Sequence, residues 1–483
     1  MKSRIRIVAT CLTLSSCLVT LAPFTPSIAQ GLNSGSAEDA SPAGPVAADN
    51  RNRPLAAYTI ISRDIVVKSG DTIGSIAARE LGRTGFAPQL AEFNGLLANA
   101  TLIPGNIFRL PIHAPTRGEF ATVVFAKGHV TATRVDDPAP AATVAAVSVS
   151  ALATEPAYTI IELKRNSEIL YGDTITTGSD GYLSIEFSSG AVINLQPDTE
   201  ATLSRLNCLP VDDSCVIEIK THKGKVSSDV EVRDNQPVDF RINTPYASAA
   251  VRGTVFDVDA ANDLRVGVTE GIVDLSAQGQ NVGINSGFGS VVEPGQPPSE
   301  PIELLPHPVF KRIPARVAPG DAVTWWPFSS AAAYGALLSN DESGIESLAS
   351  YEIDANEIGF TEVAPGDYFL LLRAIDENGL QGFISNTRIT IAEIDSAVAP
   401  VNTSVARQGG DFLVTVLDPP ANAAGFEIQI ADSESFEDPL SVDVNTTGSA
   451  VFRLDTDRVF TRARVLLDLY TVSAYGRVAS SDD

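Results

Sequence analysis

The side chains that could carry catalysis are dispersed along this 483-residue chain. The four histidines, His113, His129, His222 and His307, stand far apart, so they indicate neither a metal cluster nor a histidine-activated nucleophile. The usual serine-hydrolase, metalloprotease, P-loop and dinucleotide-binding motifs do not occur in a suitable context. Carboxylates are abundant and leave a glycosidase pair open. Most of them, however, fall in polar turns and on alternating strand faces, so we expect no enzyme, no cofactor and no metal.

Two cysteines could form one local covalent link. Cys208 and Cys215 flank residues 209–214, and no histidine or second cysteine pair accompanies them, which disfavours a metal site. In an exported protein such a pair favours a disulfide. Closing so short a loop would contribute about 2 to 3 kcal/mol on the chain-entropy model.

The first 29 residues have the layout of a secretory signal peptide. Lys2, Arg4 and Arg6 precede an apolar run over residues 7–21, and Ser27-Ile28-Ala29 supplies a small-residue cleavage site. We therefore expect an exported protein that loses residues 1–29.

Export and charge together narrow the location and the partners. Removing residues 1–29 changes the formal net charge from −25 to −28, because three basic residues and no acidic one are lost. So acidic a chain repels nucleic acid and anionic lipid. No later segment is apolar enough to span a membrane. We expect a periplasmic or cell-envelope-associated protein; lipoprotein anchoring at Cys17 is the less favoured alternative, because the residues after Cys17 stay apolar.

Residues 58–113 follow a flexible leader at 30–57 and predict a small β-α-α-β unit. Residues 65–68 form a strand, Ser69-Gly70 a turn, and Asp71 can cap the first helix. Pro88 is well placed to open a second helix, and residues 106–111 supply the last strand. One face of the first helix carries four apolar residues: Ile73, Ile76, Ala77 and Leu81.

This unit resembles a LysM domain between Asp64 and Ile112. The resemblance is carried by Val67 to Ile73, Ile76-Ala77, Asn94 and Ile103-Pro104-Gly105. It implies binding of N-acetylglucosamine-containing glycan, in a bacterium most naturally peptidoglycan, in a shallow groove between two loops. Backbone groups would pair with the acetamido group there, although the second loop lacks the aromatic residue that the family often has. The implied groove residues are Gly70, Asp71, Thr72, Ile73, Leu102, Ile103, Pro104 and Gly105.

The stretch from Phe240 to Pro301 predicts consecutive strands joined by tight turns, because short apolar runs are punctuated by glycines such as Gly253 and Gly271. Its order of Thr-Pro, Val-Arg-Gly-Thr and Glu-Gly-x-Val motifs resembles the C-terminal half of a FecR domain, an all-β extracytoplasmic module. The resemblance extends over residues 118–294, with an Ala/Val/Pro-rich insertion at 136–156.

A proline-rich linker at 295–308 leads into two further β segments. Residues 309–392 resemble a fibronectin type III or immunoglobulin-like sandwich. Tyr368, Leu370, Leu372 and Ala374 alternate and supply one buried face. Residues 400–480 resemble a second, more divergent copy.

These observations predict a mainly β, multidomain protein. Its expected function is non-enzymatic: it binds peptidoglycan through the LysM domain and presents the FecR and sandwich domains to unidentified envelope proteins, with no transmembrane segment after signal cleavage. One alternative is FecR-type extracytoplasmic signalling, which is less expected because such regulators carry a membrane span before the β domain. The other is a purely structural envelope protein with a degenerate LysM domain.

Overall fold

The computed structural model describes residues 60–81, 84–97, 99–113, 121–135, 158–187, 189–208, 215–229 and 238–482. The predicted signal peptide, leader and insertion lie outside these residues. Within the part of the chain that the structure describes, strands account for 51% and helices for 4%, which confirms the mainly β prediction. Among the described helices, none is both long enough and apolar enough to cross a bilayer.

The N-terminal module places its helices between two antiparallel strands. Val66 pairs with Ile107 and Ile60 with His113 at the two ends of the ladder. The first helix is amphipathic, so Ile73, Ile76 and Ala77 are buried against the strands. The elements are β1 (Ile60–Val66), α1 (Ile73–Leu81), a 3-10 turn (Thr84–Phe86), α2 (Ala87–Phe93) and β2 (Ile107–His113).

The cap of α1 is Thr72, and the prediction of Asp71 was wrong by one position. The Ser75 amide donates to Thr72 Oγ1 at 3.0 Å and the Thr72 amide donates to Ser75 Oγ at 2.9 Å, a reciprocal cap. Asp71 instead closes the preceding turn, accepting from the Lys68 amide at 2.9 Å, and pairs with Arg79 at 2.8 Å. The hydrogen bond from Arg79, then that from Lys68, holds the pKa of Asp71 below its usual value.

The β-body that follows contains sixteen described strands in one hydrogen-bonded sheet around a single core. The sheet order is β5-β4-β7-β10-β11-β13-β14-β12-β9-β8-β3-β6, and β15 pairs with β14, β16 and β17. The strands are β3 (Ala121–Lys127), β4 (Val130–Val135), β5 (Tyr158–Glu162), β6 (Glu168–Ile169), β7 (Thr174–Thr177), β8 (Tyr182–Glu186), β9 (Val192–Leu195), β10 (Glu200–Cys208), β11 (Cys215–Lys223), β12 (Lys225–Asp229), β13 (Val238–Asn243), β14 (Ser248–Asp259), β15 (Leu264–Ala277), β16 (Gln280–Asn285), β17 (Phe288–Val292) and β18 (Ile302–Glu303).

Strands β14 and β15 each continue through a glycine, although the sequence pattern predicted a turn at each. The first half of β14 pairs with β13 and its second half with β12, and the β14–β15 register shifts between Arg252 and Phe256. Gly271 lies opposite this irregularity with φ +78°. A bulge bends a strand without ending it, so one strand serves both parts of the sheet. Gly253 and Gly271 are therefore strand positions and not turns.

The next 80 or so residues form a sandwich of a three-stranded and a four-stranded sheet, with orders β19-β20-β23 and β22-β21-β24-β25. Trp325 is fully buried between them and meets Tyr334 edge-on at 5.2 Å between ring centroids. Leu370, Leu372 and Ala374 enter this core as the alternation predicted. The strands are β19 (Phe310–Arg312), β20 (Val323–Trp325), β21 (Ala333–Ser339), β22 (Ser347–Ile353), β23 (Glu357–Ile358), β24 (Gly366–Ile375) and β25 (Ser385–Ile391).

The second sandwich packs β27-β28-β31 against β26-β33-β32-β29-β30, and β34 pairs with β32. Its core is separate and centres on Phe412, Phe426, Ile428 and Val465. The strands are β26 (Glu393–Ile394), β27 (Asn402–Gln408), β28 (Asp411–Leu417), β29 (Gly425–Ala431), β30 (Leu440–Val444), β31 (Ser449–Phe452), β32 (Phe460–Leu466), β33 (Thr471–Val472) and β34 (Ala479–Ser480).

A buried ion cluster joins the two sandwiches. Arg464 on β32 lies directly opposite Glu427 on β29 and donates to its Oε2 from Nη2 at 2.7 Å and from Nε at 2.9 Å. Its Nη1 reaches Asp321 of the first sandwich at 2.7 Å, and Nη2 contacts the Arg316 carbonyl at 3.3 Å. Arg464 is 1% and Glu427 0% exposed. One guanidinium therefore bridges carboxylates from both sandwiches out of contact with water.

The remaining acceptor of Glu427 is also satisfied. Its Oε1 accepts from Ser441 at 2.8 Å, Tyr475 at 3.0 Å and Gln429 at 3.3 Å. Burial alone would raise the pKa of Glu427, but Arg464 and these donors outweigh it and lower that pKa below its ordinary value of 4.5. A lowered folded-state pKa means that the stabilisation is complete above pH 4.5 and is lost as the pH falls through the folded value.

We predict that Arg464→Met destabilises the joined sandwiches by about 3 to 5 kcal/mol, because it leaves two buried carboxylates without their cation. Urea unfolding followed by tryptophan fluorescence measures the change, since Trp325 lies in the adjoining core. Arg453→Met is the matched control: Arg453 pairs with Asp411 in the same sandwich, but its side chain is 73% exposed. Equal changes in the free energy of unfolding for the two variants would show that burial of the Arg464 ion pair makes no extra contribution to stability.

Candidate functional site

The N-terminal module brings its two predicted loops to the same end of the β1–β2 ladder. The Gly105 amide donates to the Val67 carbonyl at 2.8 Å, and the Val67 amide donates to the Asn106 carbonyl at 2.9 Å. Gly70 and Gly105 have φ of +86° and +91°, conformations that favour glycine in both loops. The predicted residues 70–72 and 102–105 thus flank one short stretch of ladder.

The predicted loop residues differ in exposure. Gly70, Thr72, Pro104 and Gly105 are exposed, and Ile103 has 63% of its surface accessible. Asp71 is half-buried by its turn, and Leu102 packs partly on the module core.

Ile73 departs from the expectation of an apolar surface contact. It is 2% exposed, because it is the first residue on the buried face of α1. The exposed apolar surface comes instead from Val66 and Ile107, which pair across the ladder and are 61% and 64% exposed. Sequence reasoning missed these two, although their places beside the buried Val67 and Phe108 follow from strand alternation.

Asn94 ties α2 to β2. Its Nδ2 donates to the Leu90 and Arg109 carbonyls, and its Oδ1 accepts from the Arg109 amide, each at 2.8 Å. This side chain therefore fixes β2 against α2.

Cys208 and Cys215 are register partners at the last position of the β10–β11 ladder. The intervening residues 209–214 lie outside the described part of the chain. Directly opposed antiparallel positions are close enough for a disulfide. In the described residues, no group of three or more His, Cys, Asp or Glu side chains is arranged to hold a metal.

The outer face of the β-body carries a row of polar residues that sequence reasoning did not single out. Ser184, Asn194, Ser227 and Asp257 are successive register partners across β8, β9, β12 and β14. The carbonyl oxygen Oδ1 of Asn194 is buried and has no hydrogen-bond partner. Strand alternation predicts such a row to face solvent, but it faces the first sandwich.

The sandwich presents the sheet of β21, β22 and β24 to this row. Gly335 lies between Glu352 and Arg373, and Leu337 lies between Ser350 and Leu371. Between the two faces is a cleft of about 290 Å³.

Direct contacts hold the cleft walls together. Tyr182 Oη lies 2.9 Å from Ser350 Oγ, and Ser184 Oγ donates to the Ile345 carbonyl at 2.5 Å. Asp257 forms an ion pair with Arg373. The partners are more than a hundred residues apart in sequence, so no local pattern predicts the cleft.

The fold is that of a mainly β, multidomain protein with a small N-terminal α/β module. Residues 173–274 match the family model for FecR protein. The match covers β7 to β14 entirely, and most of β15. It confirms a FecR domain in this part of the β-body and spans about a fifth of the chain. A search of curated proteins finds no match.

Among solved structures, a protein described as an anti-sigma factor from Parabacteroides distasonis has 17% identity over 27% of this chain and a TM-score of 0.22. The chain spans 58% of that structure's length. A two-domain fibronectin type III segment of chicken tenascin has 11% identity over 33% of this chain and 89% of its own, with a TM-score of 0.16. Structural matches with TM-scores this low do not support the assignment of an activity or a partner to this chain.

We predict that the protein contains a Cys208–Cys215 disulfide, because the ladder register opposes the two residues. Peptide mapping of the non-reduced protein should give one cross-linked species two hydrogens lighter than the two separate peptides. Cys208→Ser should release a single thiol that reacts with an alkylating reagent. Two alkylated cysteines in the untreated, unfolded protein would contradict the prediction.

Proposed function

We propose that this chain is an exported, non-enzymatic regulatory protein of FecR type, whose β-body binds a protein partner in the cell envelope. The FecR match at residues 173–274 carries the proposal. The site chemistry agrees with it, because the described clefts and loops offer polar and apolar contacts rather than a nucleophile, a metal centre or an acid-base pair. This reverses the order of our sequence-based expectations, in which signalling was the alternative and peptidoglycan binding the main function.

The described sheet of the β-body ends in an apolar strand that suits such a partner. Among the described strands, β5 pairs only with β4 and ends the sheet order. Tyr158 and Ile160 on β5 are 59% and 72% exposed, and Val135, paired with Tyr158, is 51% exposed. An apolar edge strand can accept an extended segment from another protein as an added strand.

We predict that a photo-crosslinking amino acid at position 160 captures one discrete protein in intact cells. Position 451 is the matched control, since Val451 is 45% exposed on the short strand β31 of the second sandwich. Adducts at neither position, or the same adducts at both, would overturn the β5 interface.

A transcriptional readout separates regulation from scaffolding. If the partner relays a signal, Ile160→Lys should change the same transcripts as deletion of the gene, because a buried lysine weakens strand addition. A captured partner with no transcript change in either strain would favour the structural envelope alternative.

Glycan binding by the N-terminal module is a second candidate function, again proposed from the LysM resemblance. The paired loops with exposed Ile103, Pro104 and backbone groups favour it. It would retain the chain at peptidoglycan, weakly from a single module and more strongly if other domains add contacts.

We predict that Ile103→Asp lowers the fraction of the full-length mature protein that sediments with isolated peptidoglycan sacculi. Leu97→Asp is the matched control, because Leu97 is an exposed apolar residue of the same module, 77% accessible, outside the loop pair. Undiminished sedimentation of Ile103→Asp would remove the loop pair as a glycan site, leaving the FecR proposal untouched.

A further inference from the structure

We propose that the cleft between the β-body and the first sandwich binds a small uncharged saccharide. The proposal is independent of the FecR partner and of the N-terminal loops, since it rests on the walls of the cleft alone.

The size suits one or two sugar rings. The cleft volume is about 290 Å³. It lies at the lower end of the range of small-molecule pockets. Gly335 contributes to this room, because a Cβ at this position would meet only Ile375 Cδ1, at 3.7 Å.

The polar groups suit hydroxyl donors. Asn194 Oδ1 is buried among Ser184 and Ser227 without a donor, and burying an unpaired acceptor costs free energy that a ligand hydroxyl would recover. Gln196 and Gln381 add amide groups to the lining. Amides and hydroxyls that can both donate and accept match the alternating donors and acceptors of a sugar ring.

Two tyrosines fix the walls of the cleft. Tyr182 and Tyr351 both line the cleft, one from each wall. Tyr182 is held by its hydrogen bond to Ser350, and Tyr351 packs edge-on against Phe360 with centroids 5.9 Å apart. Each ring is therefore fixed before a ligand arrives, which limits the entropy lost on binding.

The charges favour a neutral ligand. Lys225 is paired with Asp259 at 3.4 Å, and Arg373 is paired with Asp257. Both cations in the lining are thus neutralised within the protein. Among the charged lining residues, Glu352 has no ion pair in the described structure and is exposed, so it repels anions at the rim.

The test is saturation-transfer NMR on the full mature chain with D-glucose, N-acetyl-D-glucosamine and cellobiose at millimolar concentration. D-glucose 6-phosphate is the charged comparator. We expect saturable binding of at least one neutral sugar and about tenfold weaker binding of the phosphate. If none of the neutral sugars binds, or if the phosphate binds as well as they do, the proposal is overturned.

Two variants assign any binding to the cleft. Asn194→Leu removes the unpaired acceptor, so it should leave folding stability unchanged or higher while weakening sugar binding about tenfold. Gly335→Val fills the cleft from the opposite wall and should abolish binding. Asn281→Leu is the control, because Asn281 is an exposed amide on β16 of the same β-body.

A third variant separates the cleft from the N-terminal loops. Ile103→Asp should leave cleft binding intact. Sugar binding that survives both cleft variants and is lost in Ile103→Asp would place it at the loops and contradict the proposal.

Discussion

The arrangement of the C-terminal half depends on one buried guanidinium. Arg464 bridges Glu427 of its own sandwich and Asp321 of the preceding one, with both side-chain contacts at 2.7 Å. Removing three charges from water is unfavourable unless each finds its partners, so the geometry tolerates little displacement of one sandwich relative to the other. A small apolar cluster of Ala318, Ala392, Leu466 and Val472 extends the same interface. The two sandwiches therefore form one unit rather than two domains joined only by a linker.

This unit of two sandwiches covers one face of the β-body. Arg373 and Ser350 of the first sandwich contact Asp257 and Tyr182, and Arg265 donates to the Asn378 carbonyl at 2.7 Å. These polar contacts leave a cleft between the two faces, and Gly335 adds room to it because it places no side chain there. The β5 end of the described sheet lies in another part of the sheet order, so the proposed partner surface and the cleft are separate.

Local sequence patterns predicted much of the fold. Short apolar runs with glycines gave the strands of the β-body, and the alternation of Leu370, Leu372 and Ala374 gave a core face. Local patterns also explain the small errors. Asp71 and Thr72 are both good helix caps, and the turn at Lys68 decides between them. A glycine marks a turn or a bulge equally well, and only the strand partner reveals that Gly271 continues β15.

The cleft and the ion cluster could not be predicted this way. Glu427 and Gln429 alternate with apolar residues as a solvent-facing strand would, yet both are fully buried, because Arg464, Arg462 and Tyr475 cover them. Similarly, Leu371 lies on the face expected to be exposed and is buried under the β-body. In each case the covering residues come from distant parts of the chain. The local alternation of a strand shows which residues share a face, but it does not show which distant part of the chain covers that face.

The central claim is that buried charge makes the two sandwiches one cooperative unit, and native-state hydrogen exchange tests it most directly. The amides of Leu338 in β21 and Ile428 in β29 lie in the two separate cores. The account predicts that both exchange with the same opening free energy and the same dependence on urea, as one unit requires. If Ile428 exchanges through a lower-energy opening while Leu338 stays protected, the sandwiches unfold independently and the account is wrong.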